Sequence, residues 1–112
     1  MLFTDGKSFF LYPFKVFYVR DNIPTVSPAQ ILITVPKRSF KKAVDRNRVK
    51  RLVRESYRKN KKVLNDNLIR DNINLILGLV YVGETILSYQ EIERKLILIL
   101  QRLIEQDEEH IG

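Results

Sequence analysis

Arginine and lysine side chains are crowded into one short segment of this sequence. Residues 37–62, here called the basic segment, hold thirteen Lys and Arg against two acids, which is a local net charge of +11. The rest of the chain has a net charge of −4, so the overall charge of +7 comes from the basic segment. Guanidinium groups bind phosphate oxygens through paired hydrogen bonds and can stack on bases. The chemistry that this segment favours is the binding of a polyanion, either a nucleic acid or an anionic membrane.

The basic segment also has the periodicity of a helix, which we predict over residues 43–64. At about 100° per residue, its polar and charged side chains cluster on one side, with Val49, Leu52 and Val53 on the other. Like charges spaced four residues apart repel one another and destabilise an isolated helix. We therefore interpret the charged side as a surface for a negatively charged partner. Its residues are Lys42, Arg46, Asn47, Arg48, Lys50, Arg51, Arg54, Arg58 and Lys61.

Runs of apolar and β-branched residues predict the strands. Pro36 restricts the run before it to a sheet edge, or to a strand that ends there. The last run is almost continuously apolar, which indicates a strand buried on both faces, and Gly78 within it suggests a bulge. The strands are predicted at residues 14–19, 30–35 and 75–82, with a shorter extended piece at residues 8–12.

Polar residues set the expected helix boundaries. Asn65, Asp66 and Asn67 predict the end of the basic helix. Ser88, followed three residues later by Glu91, has the pattern of a capping box and predicts the start of the last helix. We expect the acidic tail of that helix, residues 105–112, to fray. The order of elements predicts an α/β (α+β) two-layer sandwich with a small mixed sheet, in a single domain over residues 1–112.

Several kinds of function are disfavoured by what the sequence lacks. There is no cysteine for a disulfide or a Cys-based zinc site, and the one histidine, His110, stands in the acidic tail. The carboxylates are scattered, so we expect no catalytic and no metal site in the protein itself. No apolar run approaches the roughly 20 residues of a membrane span. We expect an intracellular nucleic-acid-binding domain with no membrane partner and no small-molecule substrate.

The stretch AVDRNRVKRLVRE, which begins at Ala43, resembles the signature of the bacterial ribonuclease P protein family. The glycine-bearing stretch from Gly6 to Phe9 and the Lys37-Arg38 pair also fall in the family's order. The signature residues in this sequence are Ala43, Arg46, Asn47, Arg48, Lys50, Arg51 and Arg54.

The resemblance implies a protein that serves a catalytic RNA in the cytoplasm. That RNA removes the 5′ leader of precursor tRNA and holds the magnesium ions, so the protein needs no cofactor. The resemblance also implies a left-handed β-α-β crossover and an N-terminal helix that is mostly missing here. The RNA-binding residues that it implies are Lys37, Arg38, Lys42, Arg46, Asn47, Arg48, Lys50, Arg51, Arg54 and Arg58.

Two aromatic residues are implied in leader binding. Phe17 corresponds to an aromatic of the family's sheet, and Phe3 to one at the end of its first helix. An aromatic ring stacks on an unpaired base with little regard to which base it is. A core position for Phe17 is the open alternative. For the chain as a whole, the alternatives are a ribosomal protein and a DNA-binding regulator, although no short turn and partner helix precede the basic helix.

The concentrated charge predicts a steep dependence of RNA affinity on salt. If about five to seven phosphates are contacted, counterion release lowers the affinity by several orders of magnitude across a fourfold rise in salt. Titration of the cognate RNA at several salt concentrations measures this slope. A nearly flat dependence would contradict the assignment of the charged side as a docking surface.

Overall fold

The computed structural model describes residues 6–21, 28–71 and 73–111, with the side chains of all of these except 21 and 106–111. Phe3 lies outside the described residues. Four strands form one sheet in the order β1-β2-β4-β3, in which β3 and β4 are parallel and the other neighbours antiparallel. The mixed sheet of the predicted sandwich is therefore confirmed. Its elements are β1 (Lys7–Leu11), β2 (Phe14–Asp21), β3 (Ala29–Thr34), α1 (Ala43–Asp71), β4 (Asn74–Tyr81) and α2 (Tyr89–Ile111).

Strand β2 alternates between the two faces of the sheet, as its sequence predicts. Phe14, Val16 and Tyr18 are buried on the face that the helices cover, here called the inner face. The Phe14 ring meets the edge of the Tyr81 ring of β4 with 5.6 Å between centroids. Phe17 points to the opposite, outer face and is not a member of the core cluster. The same strand thus supplies the core and a second surface.

Strand β4 lies in the middle of the sheet, but it is less buried than its apolar sequence predicts. Its inner-face residues are buried, whereas Ile76 and Val80 on the outer face are only half-buried. Gly78 pairs in unbroken register with Phe17 of β2 and Leu32 of β3, so the bulge suggested there is wrong. Strand β3 is an edge strand that ends two residues before Pro36, as that proline requires.

Helix α1 is longer than predicted, since it continues to Asp71 through Asn65, Asp66 and Asn67. Leu64 and Leu68 extend the apolar stripe and are buried in the core. The Asp66 carboxylate accepts a hydrogen bond from Lys62 one turn earlier, at 2.7 Å. Burial of Leu64 and Leu68 outweighs the weak helix propensity of Asn and Asp, because propensity differences are only fractions of a kcal/mol per residue.

Helix α2 begins as its capping pattern predicts. The backbone amide of Glu91 donates to the Ser88 hydroxyl at 3.3 Å. The apolar stripe of α2 is buried against α1 and the sheet. The backbone stays helical to Ile111, through the acidic tail that the sequence predicts to fray. The members of the stripe are Ile92, Leu96, Ile99, Leu100 and Leu103.

Both helices pack on the inner face, which gives the predicted two layers around one core cluster. Helix α1 connects the neighbouring parallel strands β3 and β4, so these elements form a β-α-β crossover. Its left-handed sense stays a prediction. Within the described ranges, no helix covers the outer face of the sheet.

The extended end of α1 makes a prediction about stability. Leu68 is 2% exposed and its neighbour Ile69 is 64% exposed. Leu68→Ala should lower the free energy of unfolding by about 2–5 kcal/mol, the cost of truncating a buried leucine. Ile69→Ala, the matched control, should change it by no more than about 0.5 kcal/mol. Urea unfolding measures both values, and equal small losses would mean that the last turns of α1 do not pack on the core.

Candidate nucleic-acid interface

Residues 35–42 connect β3 to α1, and residues 36–42 of this connection are here called the basic loop. The Ser39 amide donates to the Pro36 carbonyl at 3.0 Å, which closes a turn. The Phe40 ring packs on Tyr81 of the core, with 6.1 Å between ring centroids. The cations of this loop therefore lie on a segment that is anchored to the sheet. The exposed cations are Lys37, Arg38, Lys41 and Lys42, of which the sequence prediction omitted Lys41.

The outward side of α1 forms a shallow groove. Five of the predicted residues line it together with one acid, Glu55, whereas Arg48 and the basic loop lie outside it. Lys50 and Arg54 are spaced one turn apart, as α-helical periodicity requires. The residues that line the groove are Asn47, Lys50, Arg51, Arg54, Glu55 and Arg58. We call Asn47, Arg48, Lys50, Arg51, Arg54 and Arg58 the basic face.

Most cations of the basic face are not neutralised by the protein. In the part of the chain that the structure describes, Arg48, Arg51 and Arg54 have no hydrogen-bond or ion-pair partner. Among the described residues, no ion pair with these three arginines offsets their mutual repulsion. The affinity of such an exposed surface for a polyanion rises with each phosphate that it neutralises, because counterions condensed on the polyanion are released.

Glu55 is a second residue of the interface, after Lys41, that the sequence prediction omitted. Its carboxylate accepts two hydrogen bonds from Arg58, at 2.6 Å from Nη2 and 3.2 Å from Nε. This hydrogen bonding holds the pKa of the Glu55 carboxyl below its usual value and raises the pKa of Arg58. The spacing of three residues was the available signal, because side chains at i and i+3 meet on a helix. Glu55 therefore orients one guanidinium and removes one positive charge from the groove.

A polar network joins α1 to α2 beside the basic face. The Asn60 side-chain amide donates to the Ser56 carbonyl at 2.7 Å and to Glu93 of α2 at 3.0 Å. The Tyr89 hydroxyl donates to the same carboxylate oxygen of Glu93 at 3.2 Å. The Lys59 ammonium lies 5.4 Å from the centre of the Tyr89 ring. These contacts set the position of the basic face relative to α2.

Residues 46–48 form the Arg-Asn-Arg element of the family signature, and its first residue, Arg46, points away from the groove. Its Nη1 atom donates to the backbone carbonyls of Phe40, at 2.7 Å, and Lys41, at 2.9 Å. Its side chain is half-buried, whereas Asn47 and Arg48 are exposed. The structure therefore separates Arg46 from the basic face and places it against the basic loop.

The outer face of the sheet presents an apolar surface around Phe17. Phe17 is half-buried and stands between Ser8 of β1 and Gly78 of β4, so the residue directly opposite it on β4 has no side chain. The Lys15 ammonium lies 5.3 Å from the centre of that ring. Phe10 and Leu32 on the same face are 58% and 56% exposed. A partly exposed aromatic ring with a cation beside it suits an unpaired base and its phosphate.

Two further features concern metals and membranes. Among the described residues, no three His, Cys, Asp or Glu side chains are grouped closely enough to hold a metal ion. Neither described helix combines the length and the apolar character needed to cross a bilayer.

Comparison with known proteins identifies the family. Residues 1–104 match the profile of the family described as Ribonuclease P. The chain belongs to the ribonuclease P protein family. This assignment confirms the resemblance carried by the Arg-Asn-Arg element, and with it a role in the 5′ processing of tRNA within a ribonucleoprotein. It disfavours the ribosomal protein and the DNA-binding regulator.

Curated relatives extend the match along the chain. The ribonuclease P protein component of Porphyromonas gingivalis is 38% identical over 102 residues, which cover 91% of this chain and 74% of that protein. The component of Chlorobium phaeobacteroides is 37% identical over 90 residues, 73% of this chain and 62% of that protein. Among solved structures, the RNase P protein of Staphylococcus aureus has a similar fold, with a TM-score of 0.70 at 19% identity. The similarity covers 90% of this chain and 84% of that one.

The Glu55–Arg58 pair makes a prediction about the groove. Glu55→Gln should release Arg58 for a phosphate and raise RNA affinity about fivefold at moderate salt. It should also steepen the slope of log affinity against log salt concentration by about the amount expected of one more phosphate contact. Titration of the cognate RNA measures both quantities. Glu105→Gln is the control, because it makes the same charge change at an exposed position on α2, outside the groove. Weaker binding by Glu55→Gln would show instead that Arg58 binds RNA only when Glu55 orients it.

Proposed function

We propose that this chain binds the catalytic RNA of ribonuclease P through the basic face and the basic loop. The supporting observation is that Arg48, Arg51 and Arg54 project from α1 without partners among the described residues, beside a loop with four more exposed cations. The opposite side of α1 is buried in the core, so the helix has one surface left for a ligand. Phosphate contacts of this kind fix the position of an RNA without reading its sequence.

The second part of the proposal is that the outer face of the sheet binds the single-stranded 5′ leader of precursor tRNA. Phe17 is the expected stacking residue, with Lys15 placed to meet a phosphate. Phe10 and Leu32 extend the apolar surface on either side. The outer face lies across the sheet from the helices, so it remains available to a leader while α1 contacts the catalytic RNA.

In this proposal, the RNA catalyses bond cleavage and binds the magnesium ions. The protein contributes affinity and position, in the cytoplasm, and needs no cofactor of its own. Such a subunit lowers the magnesium concentration that the RNA requires, because its cations replace some of the ions that screen phosphate repulsion.

Reconstitution tests the function, and Phe17→Ala tests the leader site. The wild-type protein should restore cleavage of precursor tRNA by the cognate RNA at a magnesium concentration where the RNA alone is slow.

Phe17→Ala should weaken binding of precursor tRNA about tenfold or more, because a base stack contributes about 1–3 kcal/mol. Binding of mature tRNA, which has no leader, and assembly with the catalytic RNA should hardly change.

Leu98→Ala is the control for loss of an exposed apolar side chain, because Leu98 is 44% exposed on α2 and lies far from the outer face. An equal loss for both forms of tRNA with Phe17→Ala would refute the leader role. Failure of the wild-type protein to stimulate the RNA would contradict the function as a whole.

A further inference from the structure

The basic loop carries more like charge than a short segment tolerates without support. Its four cations stand within six residues and have no acidic partner among the described side chains. Repulsion among them favours open conformations of the loop, in which the charges lie farther apart. An open loop would have to be ordered when RNA binds, and ordering costs affinity.

Contacts made by residues 40–42, the half of the basic loop next to α1, oppose this opening on two sides. On the sheet side, Phe40 packs on Tyr81. On the helix side, Arg46 donates to the carbonyls of Phe40 and Lys41, and the Arg46 amide donates to the Lys42 carbonyl at 3.3 Å. Hydrogen bonds from a charged donor are stronger than those between neutral groups. The guanidinium therefore holds the loop backbone against the first turn of α1.

We propose that Arg46 is a positioning residue of the RNA interface, which holds the basic loop in place and does not itself contact RNA. Its guanidinium fixes Lys37, Arg38, Lys41 and Lys42 relative to the basic face, so that loop and helix meet the RNA as one preformed surface. This inference rests on the proposed binding of RNA by the basic face. The rival is that Arg46 leaves the carbonyls and binds a phosphate directly, as Arg48 does.

Tryptic cleavage tests the first half of the inference without RNA. Opening of the loop exposes the bonds after Lys41 and Lys42, and the cleavage rate follows the open population. Arg46→Ala should speed cleavage at these bonds about tenfold, the effect expected of lost hydrogen bonds from a charged donor. Arg46→Lys, which keeps a charged donor, should restore most of the protection. Arg48→Ala is the matched control and should not change cleavage of the loop.

A double-mutant cycle tests the second half with the cognate RNA. In the wild-type background, Arg46→Ala should weaken binding about tenfold. In a protein whose loop cations are all alanine, it should weaken binding by less than about twofold, because no loop charge is left to position. Arg48→Ala should cost the same factor in both backgrounds. Arg46→Ala should also reduce the slope of log affinity against log salt concentration by more than the amount expected of one phosphate contact. The reason is that several loop cations would no longer be held in position to contact RNA.

The outcomes separate the inference from the function on which it rests. An equal cost of Arg46→Ala in the two backgrounds would overturn the positioning role in favour of direct contact. Unchanged cleavage after Lys41 and Lys42 in Arg46→Ala would overturn the claim that Arg46 holds the loop. If the wild-type protein does not bind the RNA, the proposed function fails, whereas the cleavage experiment still decides whether Arg46 holds the loop.

Discussion

Burial of the apolar side of α1 is the interaction on which the rest of this structure depends. Val49 and Val53 are fully buried, and Leu64 and Leu68 continue the same stripe against the sheet and α2. Each such side chain contributes about 1.5–3 kcal/mol. A repulsive pair of like charges one turn apart costs only about 0.2–0.5 kcal/mol. The helix can therefore present a row of unpaired cations to solvent and remain folded.

The two-layer arrangement gives the protein two separate surfaces. The core occupies the inner face of the sheet, which leaves the outward side of α1 and the outer face of the sheet exposed as the two surfaces for which we propose RNA contacts. Strand alternation places Phe17 on that outer face while Val16 and Tyr18, its neighbours in the chain, enter the core. The basic loop connects the edge strand β3 to α1, so its exposed cations stand where the chain passes from the sheet to the helices.

The helices and strands and the charged side of α1 were largely predictable, and the errors have identifiable physical causes. Strand β2, the capped start of α2 and the charged side of α1 follow from local patterns of period two and 3.6. The end of α1 was misplaced at Asn65, Asp66 and Asn67, because core packing of Leu68 overrides their weak propensities. Glu55 was overlooked because a count of charges does not show which of them pair.

The sequence by itself determined the chemistry of this protein. The number, type and helical spacing of its arginines specify a cationic surface suited to a polyanion, because those quantities depend only on neighbours along the chain. Tertiary structure alone decided which guanidinium is free. Arg46 and Arg48 are equivalent in the sequence pattern, yet Arg46 meets two carbonyls of the basic loop and Arg48 meets solvent. The direction of the loop after β3 makes that difference, and it is set by the packing of Phe40 on Tyr81 in the core.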